Sequence, residues 1–242
     1  MKIVPIGARR RGRGRLAPLL LAVGALSGGL TLIGGTLLLV AVPAPAQDKP
    51  KPTREQALSD LVGGDVEARR QAAAGLGDVG VTSDAPALLR ALSDPDEVVR
   101  RLAEHSVWQV WSRSGDPVID SLFQLGVAEM NRGDAEAAIQ TFTTIIDKKP
   151  DFAEGWNKRA TIYFLIGEYD KSLRDCDEVV KRNPDHFGVL AGYGQIYLQL
   201  GQPERALGYF ERALKINPNL RQVEVAVEEL RRIIAEKRKG TI

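Results

Sequence analysis

Cys176 is the only cysteine in the chain, and His105 and His186 are its only histidines. One thiol excludes a disulfide framework and a multi-cysteine metal cluster. Two isolated imidazoles do not make a histidine-built metal site. Cys176 is either a nucleophile, which needs an exposed electropositive setting, or a buried structural thiol. The carboxylates are spaced as on solvated, salt-bridged helix faces. Trp108 and Trp111 share a helical face and form either a ligand platform or a packing contact. The sequence has no G-x-x-x-x-G-K-[ST], H-E-x-x-H, G-x-S-x-G or C-x-x-C motif. Gly192-Tyr193-Gly194 follows no strand-like run, so a nucleotide loop is not expected there. These residues predict no catalytic group, no metal and no cofactor. Any function then rests on surfaces, and the elements that shape them come next.

The 242 residues carry a formal net charge of +2, are 44% hydrophobic, and allow one or two domains. The charge is unevenly placed. Residues 1–46 have no Asp or Glu but hold Lys2, Arg9, Arg10, Arg11, Arg13 and Arg15. An apolar run of 27 residues, Leu16 to Val42, follows and ends in Pro43-Ala44-Pro45-Ala46. A basic start, an apolar stretch and an A-x-A site read as an export signal cut after Ala46. The run is also long enough to span a bilayer, which leaves an uncleaved N-terminal anchor as the alternative. Either way the remainder is expected to be periplasmic or otherwise exported, with the anchor in the inner membrane if it is uncleaved. Residues 47–242 hold 27 basic against 31 acidic residues, a formal charge of −4. With no basic stripe, nucleic-acid binding is not expected. Residues 47–52 read as a polar, proline-rich linker.

Four columns recur every 34 residues: Pro150, Pro184 and Pro218; Gly133, Gly167 and Gly201; Ala138, Ser172 and Ala206; Gly126, Ala160 and Gly194. The period and residue types resemble the tetratricopeptide repeat, a helix–turn–helix unit. Counting units from Ile119, Ala153 and Phe187, the small residues at positions 8 and 20 let the two helices approach closely. Glycine at position 15 ends the first helix and proline at position 32 stops the second. Cys176 falls at core position 24 with Phe142 and Phe210, which favours the structural thiol. Position 11 holds Tyr163 and Tyr197 but Glu129 in the first unit, so that unit should face a different neighbour. Arg221 to Arg238 reads as a helix with Val223, Val227, Leu230 and Ile234 on one face, suited to capping the array.

Residues 53–115 repeat at an offset of 31: Asp65-Val66-Glu67-Ala68-Arg69-Arg70 against Asp96-Glu97-Val98-Val99-Arg100-Arg101. This pattern resembles the short HEAT repeat of phycobilin-lyase-type arrays, and the likeness concerns the repeat only. So few units rarely stand alone. The segment is expected to stack on the first tetratricopeptide unit through Trp108, Trp111 and Gly115-Asp116-Pro117. The expected fold is all-α, a continuous α-solenoid. It comprises about two short HEAT-like repeats (53–115), three tetratricopeptide units (116–220), and a capping helix with a tail (221–242).

The resemblance implies a concave groove lined by the first helices of the units. Positions 5, 9 and 12 hold Phe123, Val127 and Met130; Asn157, Thr161 and Phe164; Ala191, Gln195 and Leu198. A Met and aromatic lining suits adaptable docking of a peptide or helix. The alternative is that another part of the chain fills the groove. The two-carboxylate clamp of chaperone-binding members needs Lys and Asn at positions 5 and 9 of the first unit. It also needs Asn at position 6 of the second unit, and Lys and Arg at positions 2 and 6 of the third. Here those positions are Phe123, Val127, Lys158, Gly188 and Gly192, so an EEVD-type peptide is not the expected ligand. The expected function is that of an exported, non-enzymatic adaptor for a protein or peptide. A membrane-tethered assembly factor, or a subunit of an enzyme, is the alternative.

Overall fold

The N-terminal arms of the helices show how the sequence sets their limits. Thr53, Asp65, Asp96, Asp116 and Asp134 each accept a backbone N–H from the first turn that follows. These side chains satisfy donors that a helix start leaves unpaired. Gly133, Gly167 and Gly201, the glycine column, all have positive φ (78°, 81° and 68°). That left-handed step turns the chain from the first helix of a unit into the second.

The computed structural model describes residues 52–239, which are all-α. The signal or anchor reading of residues 1–46, most of the 47–52 linker and the last three residues lie outside the described residues. Four helices come first: α1 (Arg54–Gly63), α2 (Val66–Val79), α3 (Ala85–Ala91) and α4 (Glu97–Trp111). Three antiparallel pairs follow, α5 (Pro117–Asn131) with α6 (Ala135–Lys148), α7 (Ala153–Leu165) with α8 (Tyr169–Arg182), and α9 (Phe187–Gln199) with α10 (Pro203–Ile216). The chain closes with α11 (Arg221–Lys239). This is the expected α-solenoid. Among the described residues no helix is long and apolar enough to cross a membrane.

Inside each pair the small-residue column does its expected work. A Cβ on Gly126 would press into the Phe142 ring, and one on Gly194 into Phe210. Ser172 Oγ donates to the Ala160 carbonyl at 2.8 Å. First helices α5, α7 and α9 touch one another in order, while the second helices do not pack together to the same extent. The first helices therefore line the inner side of the curve.

The last helix is more than a lid. Val223, Val227, Leu230 and Ile234 are buried, and α11 packs on α10. The first three are positions 3, 7 and 10 counted from Arg221, the face that α7 and α9 turn to the helix before them. The helix thus fills the first-helix slot of a fourth unit. Position 8, glycine or alanine in the complete units, is here the exposed Glu228. A side chain this long at position 8 does not offer the close helix seat that glycine or alanine gives in the complete units.

The α1–α4 segment departs from expectation in its docking partner. The contacts through Trp108 and Trp111 form, but at the start of the third unit rather than on the first. Phe187 belongs to the same apolar core as Leu76, Leu88, Leu92 and Val107, with Ile216 and Leu220 at its border. The offset-31 repeat explains the attachment. Arg69 donates to the Gly64 carbonyl and pairs with Asp94 in the next layer. Its equivalent Arg100 donates to the Pro95 carbonyl and then reaches Asn219 Oδ1 at 3.0 Å. For the second repeat, the next layer is the α10–α11 turn. Asn219 Nδ2 answers by donating to the Leu92 carbonyl at 2.8 Å.

Candidate functional site

Two surfaces bear on function: the inner face of the first helices, and a cleft where α3 and α4 meet the turns between units. At their shared edge lies a buried polar group that the sequence reading passed over. Glu154, at the start of α7, is 1% exposed, and His186, at the start of α9, is fully buried. His186 Nε2–H donates to Glu154 Oε1 at 2.6 Å, while Nδ1 accepts the Val189 N–H at 3.0 Å and caps α9. That pairing assigns the imidazole tautomer. Glu154 Oε2 accepts from Asn157 Nδ2 at 3.0 Å and lies 3.7 Å from Lys158 Nζ. Burial alone would raise the Glu154 carboxyl; His186, Lys158 and Asn157 outweigh it and hold the group below the usual carboxylate range. Only a weak signal pointed here, a histidine at the capping position of α9 and a glutamate at the matching start of α7.

Trp111 stacks on the His186 ring, and Trp108 meets its edge. A Cβ on Gly188 would collide with Trp108, so glycine at position 2 of the third unit makes room for the indole. Lys158 Nζ stands 5.9 Å from the Trp108 ring and 6.0 Å from Phe123. The α4 tryptophans thus lie over the first turns of α7 and α9. Part of the expected groove is filled by the chain itself.

The sequence-selected groove residues divide accordingly. Phe123 is buried against Phe142 and Phe152, and Asn157 is spent on Glu154, so both support the surface instead of presenting it. Val127, Met130, Thr161, Phe164, Gln195 and Leu198 are half-buried along the later turns of α5, α7 and α9. Thr161 Oγ1 is tied to the Asn157 carbonyl, and Phe164 rests against Tyr169. Gln195 Nε2 is buried with no hydrogen-bond partner. A buried amide donor left unpaired costs free energy, and the same holds for Asn217 Nδ2 at the end of α10.

The cleft has a volume of ≈ 370 Å³ and is walled by Pro86, Leu89, Trp111 and Phe152. Its cations are already engaged. Arg113 donates to the Gly77 and Gly80 carbonyls, Arg182 to Glu178, and Lys149 sits 3.9 Å from Asp151. Among the described residues no group of His, Cys, Asp or Glu is arranged to hold a metal. Cys176 is buried, and burial pushes its thiol up to about 12, which suits a structural role.

A family model described as tetratricopeptide repeat matches residues 151–219, and a second of the same description matches 120–151. Residues 120–219 are tetratricopeptide repeats. Such repeats are protein-interaction modules. Similar to this chain is a TPR repeat-containing protein of Rhizobium etli, 35% identical over 130 residues. The match covers 54% of this chain and 62% of that protein, so the chain spans under two thirds of the relative's length. Among solved structures, the Sgt2 TPR domain from Aspergillus fumigatus is 21% identical, with a TM-score of 0.48 over 52% of this chain and 85% of that one. The first TPR of Spaghetti (RPAP3), solved bound to the HSP90 peptide SRMEEVD, is 22% identical. Its TM-score is 0.47, over 48% of this chain and 93% of that one.

Proposed function

We propose that this protein is an exported, non-catalytic adaptor that holds a protein or peptide partner on the open half of its inner face. One observation carries the reading: Val127, Met130, Phe164 and Leu198 are part-exposed apolar side chains at inner-face positions of three successive first helices. An apolar lining with few fixed hydrogen bonds suits docking of an apolar segment. The α1–α4 segment, taken as two short HEAT-like repeats, shuts the other half and shortens the site. Lys158, a cation beside the inner face, is held by Glu154, which does not favour an acidic peptide terminus there.

Export is supported by the order of parts in residues 1–46, and cleavage after Ala46 by the A-x-A site. The 27-residue apolar run favours a second reading, in which the same adaptor stays tethered to the inner membrane. Mass spectrometry of the mature protein separates them: a chain starting at Gln47 supports release, and one retaining residues 16–42 supports the tether.

The binding reading is tested by crosslinking in the exported compartment, with wild type beside Met130→Glu and Phe164→Glu. A partner recovered with wild type and lost with both substitutions is the expected result. Unchanged recovery with both rejects the inner face as the site.

A further inference from the structure

The face of α5 that looks away from the array carries the positions by which the later first helices receive the helix before them. Positions 3, 7 and 10 are Gly155, Arg159 and Ile162 in α7, Val189, Tyr193 and Ile196 in α9, and Val223, Val227 and Leu230 in α11. Each of these faces receives the preceding second helix. Gly155 lies against Ile145 and Arg159 reaches Thr143, both on α6; Tyr193 OH donates to Asp177 on α8; α11 packs on α10. In α5 the same positions are Ser121, Leu125 and Ala128, and no helix of the described residues fills the slot. Helix α5 packs substantially only on α6 and α7. Leu125 is 46% and Val118 63% exposed, with the half-buried Leu122 between them. The three make a stripe at helical spacing. Small Ser121 and Ala128 beside it permit close helix approach.

We propose that this slot is closed by the α5 helix of a second copy of the chain, in an antiparallel two-fold pair. The stripe is self-complementary. Setting Leu122 of one copy against Leu125 of the other buries Val118, Leu122 and Leu125 from both. The same register brings Arg132, at the end of α5, to the Gly115–Asp116 start of the other copy's helix. Arg132 is exposed and forms no ion pair among the described residues; Asp116 is exposed and uses one oxygen to cap its own helix. Antiparallel pairing also sets opposite ends of the two helix dipoles side by side. A two-fold contact needs such a self-matching patch. One helix pair buries far less than the roughly 1,200–2,000 Å² of a standard stable interface, so the dimer is weak and concentration-dependent. It would place two copies of the inner face in one particle, on opposite sides of the two-fold axis.

Analytical ultracentrifugation of the purified protein over a concentration series is the test. The expected result is a monomer–dimer equilibrium that Leu125→Glu weakens by about tenfold or more, while Val62→Glu, on exposed α1, leaves it unchanged. A monomer up to the highest attainable concentration overturns the proposal, as does a dimer indifferent to Leu125→Glu. Disulfide trapping checks the register without disturbing the helix. Leu122→Cys chains mixed with Leu125→Cys chains should crosslink with each other more than either does with itself, and the buried Cys176 stays out of the reaction. Equal yields in all pairings overturn the antiparallel arrangement.

Discussion

Trp111 lies face to face with His186, ring centroids 4.5 Å apart and planes within 18°. One ring belongs to α4 and the other caps α9, 75 residues later in the chain. This stack joins the N-terminal segment to the repeat array. It also covers the hydrogen bond from His186 to Glu154, which runs on to α7. Removing the imidazole strips Glu154 of a close partner while leaving it buried. His186→Ala should therefore cost about 2–3 kcal/mol, the range for a buried charged group that loses a hydrogen-bond donor. Urea unfolding followed by circular dichroism measures it; a loss under about 1 kcal/mol would contradict the assignment.

The Glu154 carboxyl gives this junction a pH dependence of definite sign. Its folded value lies below the unfolded one, so its contribution is fully present above an unfolded pKa of about 4.3 and is lost as pH falls toward the folded value. Glu154→Gln removes the charge at every pH. The stability difference between wild type and this variant should be flat near neutrality and shrink below about pH 4. Urea midpoints measured from pH 7 down to pH 3 provide the comparison, and a difference that grows on acidification would reverse the sign.

Two glycines on one helix should respond oppositely to alanine. A Cβ on Gly194 runs into the Phe210 ring, while one on Gly192 meets open space. Gly194→Ala should destabilise by about 1–3 kcal/mol through overpacking. Gly192→Ala should stabilise by roughly 0.5–1 kcal/mol, because alanine is the better helix former. Thermal melting of both variants decides the matter, and a shift of the same sign in both would refute the packing account of the small-residue column.

Cys176 should be inert in the folded protein. Its thiol is buried, with its pKa pushed up to about 12, so little thiolate exists at neutral pH. Alkylation followed by mass spectrometry should show no labelling over hours in buffer at pH 8 and complete labelling in denaturant. Rapid native labelling would reopen the question of a reactive thiol.

Most of the architecture was legible because the repeat writes its packing in residue size. The 34-residue columns of small residues, glycine and proline located the three pairs, and the buried face of the last helix was readable from Val223, Val227, Leu230 and Ile234. The offset of 31 marked matching sequence at the starts of α2 and α4. The docking partner of that segment was not legible. Fewer than three units made stacking necessary, and chain order suggested the first tetratricopeptide unit. The choice was made by Arg100 meeting Asn219 and by Gly188 leaving space for Trp108, contacts between residues far apart in sequence.

The candidate surface divides along the same line. The resemblance to the tetratricopeptide repeat implied that Phe123, Val127, Met130, Asn157, Thr161, Phe164, Gln195 and Leu198 line one face, since every first helix keeps its period. Which of them are open depends on what covers the face. Side chains of α4 take the first turns of α7 and α9, and Asn157 turns to a buried carboxylate. A periodic sequence determines faces, since periodicity is local. Tertiary packing decides which faces are covered, because that depends on which distant segment loses least solvation and gains most contact by lying there.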